Sequence, residues 1–218
     1  MAKAIISPKG TAIYPRLTSP DTKFDSDGTY HVKMKFDTDD EVVAKFIAQV
    51  DAWYDEAFEE AVTKSVEDET YKTEAVARKK VKRGDKPYTF VEDEEGDDTN
   101  EVIINFKMKA KAKNRKTGEE FELKPTIYGG QGKLEGKQIP NIYSGSVLRI
   151  AFTPVKWFTK QLGASVKLRL EAAKIIELMS GGGGDVDFGD DEEGYVPSET
   201  SASDFDGEGS DGGDDGDF

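Results

Sequence analysis

The sequence has no cysteine and a single histidine, His31. The first absence excludes disulfides and thiolate metal sites and suits a reducing compartment. The second leaves no histidine set for a catalytic zinc and argues against a histidine-dependent triad. Long apolar runs are missing too. No stretch approaches the ~20 residues of a membrane-spanning helix. The opening Met1-Ala2-Lys3-Ala4-Ile5-Ile6-Ser7-Pro8 has no apolar core of a signal peptide. A soluble cytoplasmic protein without a membrane partner is expected. No phosphate-binding loop or nucleophile motif is present, and Gly181–Gly184 reads as a linker. Neither a cofactor nor an enzymatic activity is expected.

Positive charge is lacking from one whole segment. Residues 181–218 contain fourteen Asp or Glu and no Lys or Arg. Taking those fourteen from the 44 acidic residues of the chain leaves 30, equal to its 30 Lys and Arg, so residues 1–180 are formally neutral. The final segment is rich in Gly, Ser, Asp and Glu, and such composition cannot offset the entropy of ordering a backbone. It is expected to be a disordered acidic tail, with residues 1–180 forming one folded domain around a single core.

Tyr30, Val32, Met34 and Phe36 alternate with His31, Lys33 and Lys35, the period of a half-buried strand, after a turn at Asp27-Gly28. Thr38-Asp39-Asp40-Glu41 has the pattern of a capping box. Apolar residues from Val42 to Val62 then recur at helical spacing, which predicts a helix over 38–67 whose wide apolar face packs on the core or on a second subunit. The basic run Arg78–Arg83 and the acidic run Glu92–Asp98 read as solvated loops. Strand patterns follow at 101–113, 120–128, 146–155 and 164–178. Several strands with one long inserted helix suit a small antiparallel barrel. Charge is uneven within the body: −12 over residues 37–106 and +10 over residues 107–174.

Lys107, Lys109, Lys111 and Lys113 stand two apart. On one strand all four would project from one face, with Phe106, Met108, Ala110 and Ala112 toward the core and Arg115 extending the patch. Such a face suits a phosphate backbone, or is simply a solvated sheet that discourages edge pairing. Lys156-Trp157-Phe158 combines a cation with two rings, and Tyr128 and Tyr143 stand beside turns; stacked bases would use them without regard to sequence. The acidic tail only partly mimics a calcium loop. The acidic run at 92–98 is a poor metal site, because metal carboxylates usually come from separate rigid elements.

The chain also resembles a known family, the single-stranded DNA-binding proteins of T-seven-like bacteriophages. The likeness lies in Met1-Ala2-Lys3, in Lys156-Trp157 through Gly163-Ala164-Ser165-Val166-Lys167-Leu168, in Gly181-Gly182-Gly183, in Gly194-Tyr195-Val196 and in the closing Asp215-Gly216-Asp217-Phe218. It implies an oligonucleotide-binding fold (OB-fold), a five-stranded Greek-key barrel. It also implies a homodimer that coats single strands in phage replication and recombination, promotes annealing, and works in the cytoplasm of the infected bacterial host. Lys3 and Lys109 would match basic positions of the binding surface. Asp214, Asp215, Asp217 and Phe218 would contact the replicative polymerase and helicase-primase. Where the family has an aromatic two residues before this Trp157, the chain has Val155. An RNA-binding barrel and a metal-dependent nuclease are the competing readings.

Overall fold

The structure is a computed structural model that describes residues 4–23, 25–114 and 116–179. Lys3, Arg115, Asp214, Asp215, Asp217, Phe218 and the whole acidic tail lie outside the described residues. Strand β1 (Ile5–Ile6) precedes β2 (Gly10–Asp21) and β3 (Thr29–Asp37). Two helices follow, α1 (Glu41–Glu67) and α2 (Glu74–Lys80). Next come β4 (Tyr88–Glu92), β5 (Asp98–Lys109), β6 (Lys111–Lys113), β7 (Glu120–Glu122), β8 (Thr126–Gly129) and β9 (Gly132–Lys133). The long hairpin of β10 (Val147–Thr159) and β11 (Gly163–Glu177) ends the fold.

Five of these strands close a ring. β2 pairs antiparallel with β3, and β3 with β5; β5 pairs parallel with β11, β11 antiparallel with β10, and β10 with β2. In chain order this is a 1-2-3-5-4-1 barrel, the Greek-key OB topology expected from the resemblance. The two closing seams are short: Leu168 and Arg169 face Phe106 and Lys107, and Val147 and Leu148 face Thr11 and Gly10. Alternation fills the interior. Tyr30, Val32, Met34 and Phe36 on β3 are buried, as are Val102, Ile104, Phe106 and Met108 on β5.

The long helix is inserted between the second and third barrel strands. Its cap is Asp40, whose Oδ1 accepts from the Val42 amide at 2.8 Å. Thr38 is not the cap, because its amide continues the strand ladder to the Asn100 carbonyl at 2.8 Å. The apolar face of α1 is consumed within the chain. Phe46 meets Phe36 and Phe152 edge-on at 6.0 and 5.8 Å between ring centroids, and Trp53 meets Phe152 at 6.0 Å. That face is therefore not a free surface for a second subunit.

Neither charged run is a simple loop. The first half of the basic run ends α2, and Arg78 and Arg83 tie the run to α1: Arg78 to Glu59, and Arg83 to Asp55 at 2.7 Å with its guanidinium 4.3 Å from the Phe58 ring centroid. The acidic run is the tip of the β4–β5 hairpin, where Glu92 faces Asp98. Among the described residues no group of three His, Asp or Glu is placed to hold a metal ion, and no helix is long and apolar enough to cross a membrane.

Candidate nucleic-acid interface

The register of β3 against β5 decides which side chains share the outer wall of the barrel. Val32 faces Phe106 inside. One step on, His31 faces Lys107, Lys33 faces Asn105 and Thr29 faces Lys109, all outside. The parallel seam carries the wall onto β11, where Arg169 faces Lys107 while Leu168 and Phe106 face inward. Lys167 projects on the same side as Arg169, and its ammonium lies 4.7 Å from the centroid of the Trp157 ring on β10. Lys33, Lys107, Lys109, Lys167 and Arg169 are exposed, so a cationic surface crosses β3, β5 and β11 and ends at an aromatic ring. Asp21, Asp25, His31, Lys33, Asn105 and Lys107 line a shallow depression of about 350 Å³ along it. In OB-folds the second and third strands and the loops after strands 1 and 4 form the ligand face; here these are β3, β5 and the loops 22–28 and 160–162.

The expected row of four lysines on one strand does not form. β5 stops at Lys109. The Ala110 amide turns to the Gly28 carbonyl at 2.9 Å, and the Ala110 carbonyl accepts from Leu123 at 2.7 Å. Lys111 and Lys113 then belong to the separate β6–β7 ribbon, and Ala112 is only partly buried. Acidic neighbours hold three of the four: Asp25 lies 3.8 Å from Lys109, Asp27 4.0 Å from Lys111 and Glu120 2.9 Å from Lys113. Glu120 also pushes the Lys113 pKa up. Lys107 has no carboxylate within 4 Å among the described residues, and neither has Lys33.

Lys156 and Phe158 do not join the outer face. Lys156 stands opposite buried Val166, and α1 supplies its partners, Glu56 at 2.8 Å and Glu60. These carboxylates, Glu56 first, raise the Lys156 pKa and keep the ammonium committed. Phe158 packs with Phe58, Ala61 and Val62 of α1. Trp157, between them, points the other way, and its Nε1 is buried without a hydrogen-bond partner among the described residues. Tyr128 is exposed on β8 beside Lys174, five residues beyond Arg169 along β11. Tyr143 is exposed at the far side of β2, next to Tyr14 and Arg16. The structure thus brings together Lys107, Lys109 and Trp157, leaves Lys111, Lys113, Tyr128, Lys156 and Phe158 elsewhere, and sets Tyr143 across β2, beside Arg16. It adds Lys33, Lys167 and Arg169, whose signal in the sequence is the same alternation that marks their strands: Lys33 between Val32 and Met34, and Lys167 and Arg169 among Val166, Leu168 and Leu170.

The loop joining β10 to β11 has a reason for its sequence. Gly163 has φ +86°, and a Cβ there would lie 2.7 Å from backbone atoms of Lys82, Arg83 and Gly84. That contact lets the Ala164 amide donate to the Lys82 carbonyl and the Gly84 amide donate to the Ala164 carbonyl, both at 2.8 Å. The segment before β4 is thereby pinned against the barrel at the edge of the Trp157 site.

Comparison with known proteins places the chain among phage proteins. The chain is 31% identical over 179 residues to the single-stranded DNA-binding protein of Escherichia phage T7, covering 78% of this chain and 72% of that protein. It is 36% identical over 133 residues to the single-stranded DNA-binding protein of Enterobacteria phage T3, covering 56% of each. The crystal structure of the single-stranded DNA-binding protein encoded by bacteriophage T7 superposes with a TM-score of 0.64 at 28% identity, covering 90% of this chain and all of that one. The model of the bacteriophage T7 single-stranded DNA-binding protein family matches residues 9–178, and the chain belongs to that family.

Proposed function

We propose that this protein binds single-stranded DNA across the outer wall of β3, β5 and β11, with Lys33, Lys107, Lys109, Lys167 and Arg169 on the phosphates and Trp157 stacking on a base. The observation that carries the reading is the continuous run of exposed cations from β3 to β11 ending at a ring, in a chain whose family is named for this ligand. Phosphate contacts supply affinity without sequence preference, and a stacked base is tolerated whatever its identity. Such a surface suits a protein that coats strands in phage replication and recombination and brings complementary strands together for annealing. Lys3 and Arg115 would extend the basic surface. The acidic tail would compete for it when no strand is bound, and Asp214, Asp215, Asp217 and Phe218 would engage the polymerase and helicase-primase once released. A homodimer in the host cytoplasm completes the proposal.

A salt titration of binding to single- and double-stranded DNA tests it. Single strands should win. With three of the wall's cations lacking a carboxylate partner among the described residues (Lys33, Lys107 and Lys167), the log–log slope against salt should be about −2 or steeper, at about −0.7 per phosphate neutralised. A flat response removes the proposed face. Competition with a matched RNA oligonucleotide distinguishes the RNA-binding reading, since 2′-hydroxyl contacts separate the two ligands.

A further inference from the structure

We infer that Tyr14, Arg16 and Tyr143 form a second base-stacking subsite that carries the single strand off β3 onto β2, a reading that rests on the proposed DNA binding. The starting observation is Tyr14. Its φ is +47°, a left-handed backbone that a bulky residue rarely adopts, and its ring is 75% exposed. Burial therefore does not compensate the strain. Strained residues in exposed positions concentrate at ligand contacts.

Local geometry supplies the rest of the subsite. The β2–β3 ladder breaks between Ile13, which faces Lys33, and Arg16, which faces His31. The one extra residue of this bulge, with Tyr14 and Pro15 opposite Val32, lifts Tyr14 out of the sheet. Its amide donates to Ser144 Oγ at 2.9 Å, while Gly145 donates to the Ala12 carbonyl at 2.9 Å and Ala12 to the Ser146 carbonyl at 2.8 Å. These bonds hold the loop bearing exposed Tyr143 beside the bulge. Both tyrosines and Arg16 line one open depression of about 320 Å³.

The charge of the lining selects the occupant. Among the described residues no Asp or Glu lines this depression, although the one over β3 and β5 includes Asp21 and Asp25, and the one beneath α1 includes Glu60 and Asp68. Two rings and a guanidinium without a carboxylate match a flat base with its phosphate. Arg16 faces His31, which in turn faces Lys107, so the subsite is continuous with the cationic wall. The occupant is one further unpaired nucleotide of the same strand.

The test uses the full chain and fluorescence anisotropy with labelled oligothymidylate. Tyr14→Gly keeps the backbone conformation and removes the ring; Tyr14→Phe keeps the ring. Tyr14→Gly should weaken binding about tenfold and Tyr14→Phe less than twofold, with an unchanged salt slope because the ring carries no charge. Arg16→Ala should instead reduce the slope by about 0.7. Oligonucleotides with one abasic site at successive positions provide a check that does not depend on stability. At one position the abasic site should weaken wild type and leave Tyr14→Gly unaffected. Wild-type affinity in Tyr14→Gly, or additive losses at every position, overturns the subsite while leaving the DNA-binding proposal standing. A changed sedimentation coefficient with unchanged affinity also overturns it, by making the patch a protein contact. Failure of wild type to bind single strands at all overturns the proposed function itself.

Discussion

Trp157 and Phe158 are neighbours in the chain and opposites in place. The ring of Trp157 carries Lys167 on the outer wall, and Phe158 lies against α1. Trp157→Ala should lower single-strand affinity about tenfold, since one stacked base is worth roughly 1–3 kcal/mol. Phe158→Ala should leave affinity near wild type and cost about 2–3 kcal/mol of stability, below the usual loss for a fully buried Phe. Titration of each variant and urea denaturation separate the two effects, and equal affinity losses would mean that the two rings are misassigned. Among the cations, Lys107→Ala should reduce the salt slope by about 0.7, whereas Lys156→Ala should leave it unchanged because Glu56 and Glu60 already hold that ammonium. Because β10 runs on to Thr159, alternation sends residues 157 and 158 to opposite sides. It does not say which side faces solvent, because that depends on where the inserted helix lies.

At the scale of elements, the loop after β2 sets a carboxylate beside the wall that it borders. Asp25 lies 3.8 Å from Lys109 and would compete with an incoming phosphate for that ammonium. Asp25→Asn should raise single-strand affinity two- to threefold at low salt, with the gain fading by 0.5 M salt, as an exposed pair worth about 0.2–1 kcal/mol would. An affinity unchanged at low salt would show that Lys109 does not touch the strand. The β10–β11 turn gives a structural counterpart. Gly163→Ala places a Cβ against backbone at positive φ and should cost at least about 1–3 kcal/mol in a melting or denaturant series. The elements themselves were largely readable from the sequence: the β3 alternation, the extent of α1 to Glu67, and strands over 146–155 and 164–178, the first of which β10 carries on to Thr159. The end of β5 was not. Lys107 to Lys113 keeps a period of two throughout, and only the hydrogen bonds of Ala110 to Gly28 and Leu123 reveal that the strand divides there.

For the whole molecule, the separation of charge is the feature that chemistry can probe most directly. If the tail competes with DNA for the wall, a chain ending at Gly184 should bind single strands more tightly at low salt, with the difference shrinking as salt screens the contact. If the tail also engages a polymerase and helicase-primase, the same truncation should no longer stimulate them. Equal affinities of full and truncated chains at low salt would remove the competition.

Legible from residue order alone were the neutral body, the acidic terminal segment, the alternation of the main strands and the amphipathic helix. These are local properties: composition decides whether a segment can form a core, and side-chain period follows from backbone geometry within one element. Long-range pairing alone put Lys33, Lys107, Lys167 and Arg169 on one wall, laid α1 over Lys156 and Phe158, and set Tyr14 and Tyr143 around one depression. Each of those neighbourhoods is made by pairing between residues far apart in the chain, where register and barrel closure, rather than spacing along the sequence, set which side chains meet.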